Sequence, residues 1–479
     1  MTRYSWLLLA LAACLCASCE APPARDERAA DALRAVGGTV ERDGSLPARP
    51  VTVVVLRGNQ VTDADLKNLR GLKSLTTLLV NDAAITDAAL ANLDGLTGLR
   101  ELDLAGTNIT DAGLKHLRGL TGLRRLGLAH TDIGDAGLAE LTGLTALEEL
   151  DLTMAEVSDA GLKHIARLTV LRRLDLGGAD VTDAGLKDLR ALTALHILNL
   201  GGTKITDAGL KALGSLTRLQ SLGLDYTGVT DVGLRELRGL ERLNLNSTSV
   251  TDAGLKELRQ PERLRELSLA GTAITDVGLK TLGAFHGLEY LDLLDTDVTD
   301  AGLRELAAAS GLRGLCLGGP GITDAGMNEL GRLTRLRELD LVGARVTDAG
   351  LKSLRALTGL RRLCLHGARI TDAGLKDLRE LAGLEELDLG ATAITPAGLK
   401  ELLPLKNLRV LELDGIRFAD AGPEGPEALR VLAELRSLRY LSLGDASVPP
   451  ALLAELRQAL PEATIWIGGV SHAPSSGTE

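Results

Sequence analysis

Carboxylates are the side chains whose spacing in this sequence could do chemistry. Asp103, Asp151, Asp175, Asp292, Asp340 and Asp388 share one position, each with Leu on both sides, and Glu412 stands at the matching place. Glu101, Glu149, Glu266, Glu338 and Glu386 occupy a position two residues earlier in their own segments. Alternation with leucine marks a short strand with one buried face, so both acidic columns point to the solvent side. Such a surface suits a basic protein partner. Arg125, Arg173, Arg242 and Arg362 interrupt the second column, and a solubility face whose charges pair laterally with these arginines fits the same residues. Tyr290, Tyr440 and Tyr226 are the aromatic candidates for this face, and tyrosine is a frequent interface anchor. The partner-binding candidates are therefore Asp103, Asp151, Asp175, Tyr290, Asp292, Glu338, Asp340 and Asp388. A calcium site built from these carboxylates is chemically conceivable, but no loop carries the ligand spacing of a calcium motif.

The remaining reactive side chains form no constellation. Seven histidines are scattered along the chain, and no His-Glu-x-x-His, Gly-x-Ser-x-Gly, Walker or dinucleotide-binding pattern occurs. Cys316 and Cys364 replace the strand Asp in two repeats. Two strand spacings put them roughly 10 Å apart, beyond the reach of a disulfide, so free thiols are expected. A basic column, including Lys67, Lys115, Lys163, Lys187 and Lys211, follows the first helical Leu of each segment. It reads as a solvated helix face, or as a contact for anionic lipid or wall polymer. No catalytic residue, metal ligand or cofactor site is assigned, and a binding role is expected rather than an enzymatic one.

These residues sit in a repeat. LRELDLAGTNITDAGLKHLRGLTG begins at Leu99, and the same frame recurs from Leu147 and from Leu171. Thr-Asp anchors such as Thr62, Thr86 and Thr110, and again Thr275 and Thr299, fall 24 residues apart, and one step, Thr230 to Thr251, is 21. Within a unit, Leu102 and Leu104 mark the strand. Thr110 or Asp111 is suited to cap a helix N-terminus, and Leu114, Leu117 and Leu120 line one helix face. One strand-turn-helix unit cannot bury enough surface to stand alone, so units must stack. Stacked strands lie ~4.8 Å apart and helices need ~8–10 Å, which places the strands on the inside of a curve.

The pattern Leu-x-x-Leu-x-Leu-x-x-Thr-x-Ile resembles the leucine-rich-repeat family over roughly residues 51–445. The following Thr-Asp-Ala-Gly-Leu-Lys is similar to the cysteine-containing subclass, familiar from substrate receptors of F-box ubiquitin ligases, and to bacterial repeats of the same kind. The resemblance implies an α/β solenoid, a horseshoe or arc with a parallel concave sheet and convex short helices. The family's ladder Asn or Cys is replaced here by Thr107, Thr131, Thr203 and Thr227, or by Ala155, Ala179 and Ala344. A full Asn ladder is thus unavailable, with Thr hydroxyls as a partial replacement.

Both ends depart from the repeat. Residues 20–50 read as a tether and N-terminal cap, with a helix over 26–36 and a strand-turn-strand. Residues 446–467 read as a C-terminal cap, and 468–479 as a disordered tail. The first nineteen residues, MTRYSWLLLALAACLCASC, join Arg3 to an apolar run from Trp6 to Ala17, too short to span a bilayer and suited to a secretory signal. Their small-residue-then-Cys ending resembles a bacterial lipoprotein signal. Cys19 is the favoured acylation site and Cys14 the alternative; a plain cleaved signal with incidental cysteines is the other reading. The resemblance implies an exported protein of the cell envelope, tethered to a membrane by N-terminal lipid or held in the periplasm or outside the cell.

Composition narrows the function. A net charge of -11 disfavours nucleic acid, whose binders carry basic surfaces. Aromatics at 2% leave the packing to leucine and weigh against a glycan site. Three functions remain: a monomeric protein-binding scaffold or receptor at the envelope, a structural or spacing element without a specific partner, and a ubiquitin-ligase-like substrate receptor. The last is disfavoured, because no F-box-like segment precedes the repeats and the signal directs export.

Overall fold

The computed structural model describes residues 22–46, 49–416, 418, 424–444, 448–468 and 470–472. The signal expected over residues 1–19, with Cys14 and Cys19, lies outside the described residues. The chain divides into two compact units, Met1–Leu222 and Gly223–Glu479.

In the first unit the helix Pro22–Ala35 precedes an antiparallel pair, Thr39–Arg42 against Val51–Arg57. The helix starts four residues before the expected one, at a proline suited to a first helical turn. Parallel strands follow at Thr77–Asn81, Glu101–Asp103, Arg125–Gly127, Glu149–Asp151, Arg173–Asp175 and Ile197–Asn199. Their register is the repeat itself: Leu102 opposes Leu126, and Leu150 opposes Leu174. Short α- or 3₁₀-helices such as Asp159–Ile165 and Gly185–Ala191 return the chain. The central strand leucines and the inward helix leucines are fully buried, Leu102, Leu114 and Leu117 among them.

The second unit repeats the plan. Parallel strands run from Arg242–Asn244 through Glu266–Ser268, Tyr290–Leu293, Gly314–Leu317, Glu338–Asp340, Arg362–Cys364, Glu386–Asp388 and Val410–Glu412 to Tyr440–Ser442 and Thr464–Ile467. The helix Pro450–Ala459 and the strand after it follow the last repeat. Val470–His472 then turns back antiparallel on Thr464–Ile467, so the first residues of the expected tail carry strand structure. The 21-residue unit carries the short helix Gly233–Glu236, and its strand Arg242–Asn244 pairs in register with the next, Arg242 opposite Glu266.

What holds successive units together is the Asp after each anchor Thr. Asp300 accepts from both the backbone N–H of Thr323, at 2.8 Å, and its hydroxyl, at 2.5 Å. The same pair of bonds joins Ser158 to Asp135 and Thr371 to Asp348. The Thr hydroxyl caps its own helix only weakly, accepting from Ala325 N at 3.3 Å in the Thr323 case. The glycine of Asp-Ala-Gly-Leu is required by this staple: a Cβ at Gly350 would collide with Asp324 Oδ1. The buried ladder threonines act locally. Thr107 and Thr272 each donate to the carbonyl three residues earlier, Leu104 and Leu269, so they close a turn within one unit instead of replacing an inter-unit Asn ladder.

Candidate functional site

The two solvent-facing positions of each strand flank a buried leucine, and burial alternates accordingly along Glu101–Asp103 and Glu386–Asp388. The expected acidic columns therefore exist in both units. Their surroundings differ.

In the first unit the acids bond locally, and two of them have an arginine beside them. Glu101 pairs with Arg125 at 2.6 Å. Asp103 accepts from Ala105 N in its own turn and leans over Gly127, where a Cβ would strike its carboxylate. Asp151 accepts from Thr153 N and Oγ1. Asp175 is buried; it accepts from Gly177 N and from Asn199 Nδ2 at 2.9 Å, and Arg173 lies 3.7 Å away.

In the second unit one row runs Asp292, Cys316, Asp340, Cys364, Asp388, Glu412, Ser442 and Trp466, each opposite the next. The carboxylates keep the local turn bond: Asp292 accepts from Leu294 N, Asp340 from Val342 N and Asp388 from Gly390 N. Between the acids stand thiols in place of cations. Burial pushes the Cys316 thiol up to about 11, and it raises that of Cys364 further, with Asp340 and Asp388 adding to the effect. Both are free thiols, as expected, with Asp340 on the strand between them. Burial also raises Asp292, helped by the charge of Asp340, and raises Glu412, helped by Asp388 and Asp414. Neutral cysteines and mutually repelling carboxylates leave this row poor in countercharge.

The other row holds Glu266, Tyr290, Gly314, Glu338, Arg362, Glu386, Val410 and Tyr440 in register. Tyr290 lies across Gly314, where a Cβ would meet its ring, and its Oη is 3.1 Å from Cys316 Sγ. Arg362 pairs with Glu386 at 3.6 Å, and His366 approaches Asp388 at 3.5 Å.

The structure thus brings Tyr290, Asp292, Glu338, Asp340 and Asp388 together on one face of the second unit; Asp103, Asp151 and Asp175 lie in the first unit, where each closes its own turn and Asp175 is also buried beside Arg173. Tyr226 is 69% exposed at a left-handed turn position, φ 54°, beyond its strand rather than on the face. Trp466, 37% exposed in the acidic row, was missed from sequence because its segment lacks the repeat; register counted from Leu441 opposite Ile465 is the signal that finds it. Lys67, Lys115, Lys163 and Lys187 are exposed, as expected of a solvated helix side. Among the described residues no group of three or more His, Cys, Asp or Glu is arranged to hold a metal ion, and no helix is long and apolar enough to cross a membrane.

Comparison with known proteins matches residues 135–318 to a leucine-rich repeat region model and residues 96–117 and 333–354 to a leucine-rich repeat model. No curated protein matches the sequence. Among solved structures, the chain is similar to an internalin from Listeria monocytogenes, at 24% identity over 83% of this chain and 99% of that one, with a TM-score of 0.46. A leucine-rich-repeat protein of Leptospira interrogans matches at 20% identity over 83% and 91%, with a TM-score of 0.48. The ectodomain of an Arabidopsis thaliana membrane receptor kinase, solved in complex with CASPARIAN STRIP INTEGRITY FACTOR 2, matches at 15% identity over 87% and 59%, with a TM-score of 0.38.

Proposed function

We propose that this leucine-rich-repeat protein is a non-catalytic, monomeric interaction protein whose second unit holds a basic protein segment on its exposed strand face. The observation that carries the reading is the row Asp292, Asp340 and Asp388, separated by thiols and not neutralised along the sheet. Tyr290 at one end and Tyr440 with Trp466 at the other supply aromatic anchors. Raised thiol pKa values keep Cys316 and Cys364 protonated at neutral pH, so neither is an activated nucleophile. That supports binding over catalysis.

The spacing suggests the form of the partner. Alternate strands stand ~9.6 Å apart. A polyproline-type segment advances ~9.3 Å in three residues and turns every third side chain to the same side. A segment with Arg at every third position and proline between therefore matches the row. The full chain is titrated with such a fluorescent peptide and with one of equal charge whose arginines fall at every fourth position. Preference for the three-residue spacing supports the reading; equal affinity, or no binding, overturns it.

For the first unit the lateral pair Glu101–Arg125 and the buried Asp175 favour a structural face. The repeats are taken as the cysteine-containing-like subclass. The N-terminal signal supports export and anchoring at the cell envelope through Cys19, or Cys14, and mass spectrometry of the mature N-terminus tests that placement.

A further inference from the structure

A second feature of the Gly223–Glu479 unit lies at the edge of its sheet, where an arginine commonly precedes the strand. Two fates meet such an arginine. In two repeats the guanidinium tucks onto the carbonyl of a glycine that stands two residues before the next edge position: Arg265 on Gly287 O at 2.8 Å and Arg337 on Gly359 O at 2.7 Å. A Cβ at either glycine would collide with the guanidinium. Where it does not tuck, the arginine pairs with a neighbouring glutamate, as Arg313 does with Glu289 and Arg361 with Glu385.

Among the described residues Arg409 has neither outcome. The residue two before the next edge position is Ser437, whose hydroxyl donates to Leu408 O at 2.7 Å and fills the notch. The carbonyl of Ser437 takes Arg439 Nη1, and Arg439 also pairs with Glu462 at 2.9 Å. Glu385 is held by Arg361. Exposed Arg409 therefore opens into a groove that it lines with Arg361, Lys406, Ser437 and Arg439. Lys406 has no carboxylate partner among the described residues either. Counting the carboxylates that face these cations, Glu385 and Glu462, the groove keeps two positive charges, those of Arg409 and Lys406. Another groove of the same unit balances its four arginines with four glutamates.

We propose that the Arg409 groove is a binding site for a phosphate monoester group. A guanidinium with unspent donors offers two parallel N–H bonds to a tetrahedral oxyanion, and the Lys406 ammonium supplies the second charge. Arg361 and Arg439, already paired, border the site and set its width. The site is separate from the acidic face, and its ligand has the opposite charge to the partner of that face.

Calorimetric titration of the full chain with glycerol 3-phosphate, at constant ionic strength, tests the proposal. Sedimentation with vesicles of phosphatidylcholine, with and without phosphatidic acid, asks whether the phosphate belongs to a soluble ligand or a lipid headgroup. The expected result is saturable binding to one phosphate source, weakened about tenfold by Arg409→Gln, as for loss of a charge-assisted bidentate contact. Arg124→Gln, at a paired arginine of the first unit, leaves it unchanged. Ser437→Gly restores the notch, lets Arg409 tuck away and weakens binding with no change of charge. Wild-type affinity in Arg409→Gln, equal weakening by Arg124→Gln, or no binding to either source overturns the assignment.

Discussion

Asp175 and Asp340 occupy the same strand position, one in each unit, and meet different neighbours. Asp175 is buried between its own turn and Asn199, with Arg173 beside it. Asp340 has a cysteine on the strand at each side and accepts from its own turn at Val342 N. The scaffold beneath the two is the same: a buried leucine strand, an Asp staple and a glycine that admits it. What a repeat position does is thus decided by the residue one repeat away on each side. The carboxylate completes a turn in both places, and Asp175 has an arginine and an amide beside it where Asp340 has thiols.

If the scaffold is shared, breaking it must hurt both units alike, and this is the largest effect expected. Asp135→Ala and Asp300→Ala each remove two hydrogen bonds to a carboxylate and should each destabilise the surrounding repeats by roughly 3 kcal/mol. Hydrogen exchange is the suitable readout, because repeat arrays do not melt as one unit. Loss in one unit only would break the comparison. Gly350→Ala, which pushes a Cβ into Asp324, should cost about 1–3 kcal/mol by overpacking, read in the same exchange experiment.

Charge on the second face should show in pH dependence. Asp292 and Glu412 have raised pKa values. Their folded forms hold protons more tightly than the unfolded chain, so their contribution to stability falls as pH rises through the folded values. Affinity for a basic peptide runs the other way, since it needs the ionised forms. It should weaken as pH is lowered, starting above the ordinary carboxylate range. Asp292→Asn with Glu412→Gln should move that onset down; an unmoved onset would assign the titration elsewhere. The smallest effect is on the thiols. Alkylation of Cys316 by a neutral maleimide, followed site by site with mass spectrometry, should rise about tenfold per pH unit up to about pH 11, with Cys364 slower throughout. A plateau near pH 9 would mean that the thiols are not shielded.

Much of this was legible beforehand. Leucine alternating with Asp at 102–104 shows the strand, its buried face and its register, because a 24-residue period leaves one way to stack. The spacing of Cys316 and Cys364 excluded a disulfide for the same reason. The division between Asp175 and Asp340 was hidden, since it depends on Asn199 reaching across to one and on thiols flanking the other. Thr110-Asp111 read as a helix cap because capping is a local pattern; the Asp serves the next repeat, and only the stacking of repeats reveals a bond across 23 residues. Gly113 carried a usable signal, a helix-position glycine repeated without local need. Arg409 was invisible because its distinction is a partner it lacks among the described residues.

The most direct test compares charge removal on the two faces. Asn keeps the acceptor that closes each turn, so Asp292→Asn, Asp340→Asn and Asp388→Asn together discharge the second face without breaking its turns. The triple variant Asp103→Asn, Asp151→Asn and Asp175→Asn does the same in the first unit. Titrated with the arginine-proline peptide, the second-unit variant should lose roughly thirtyfold in affinity, from three partly screened charge pairs, and the first-unit variant less than about threefold. Equal losses, or a larger loss from the first unit, would contradict the assignment of binding to the Asp292–Asp388 face.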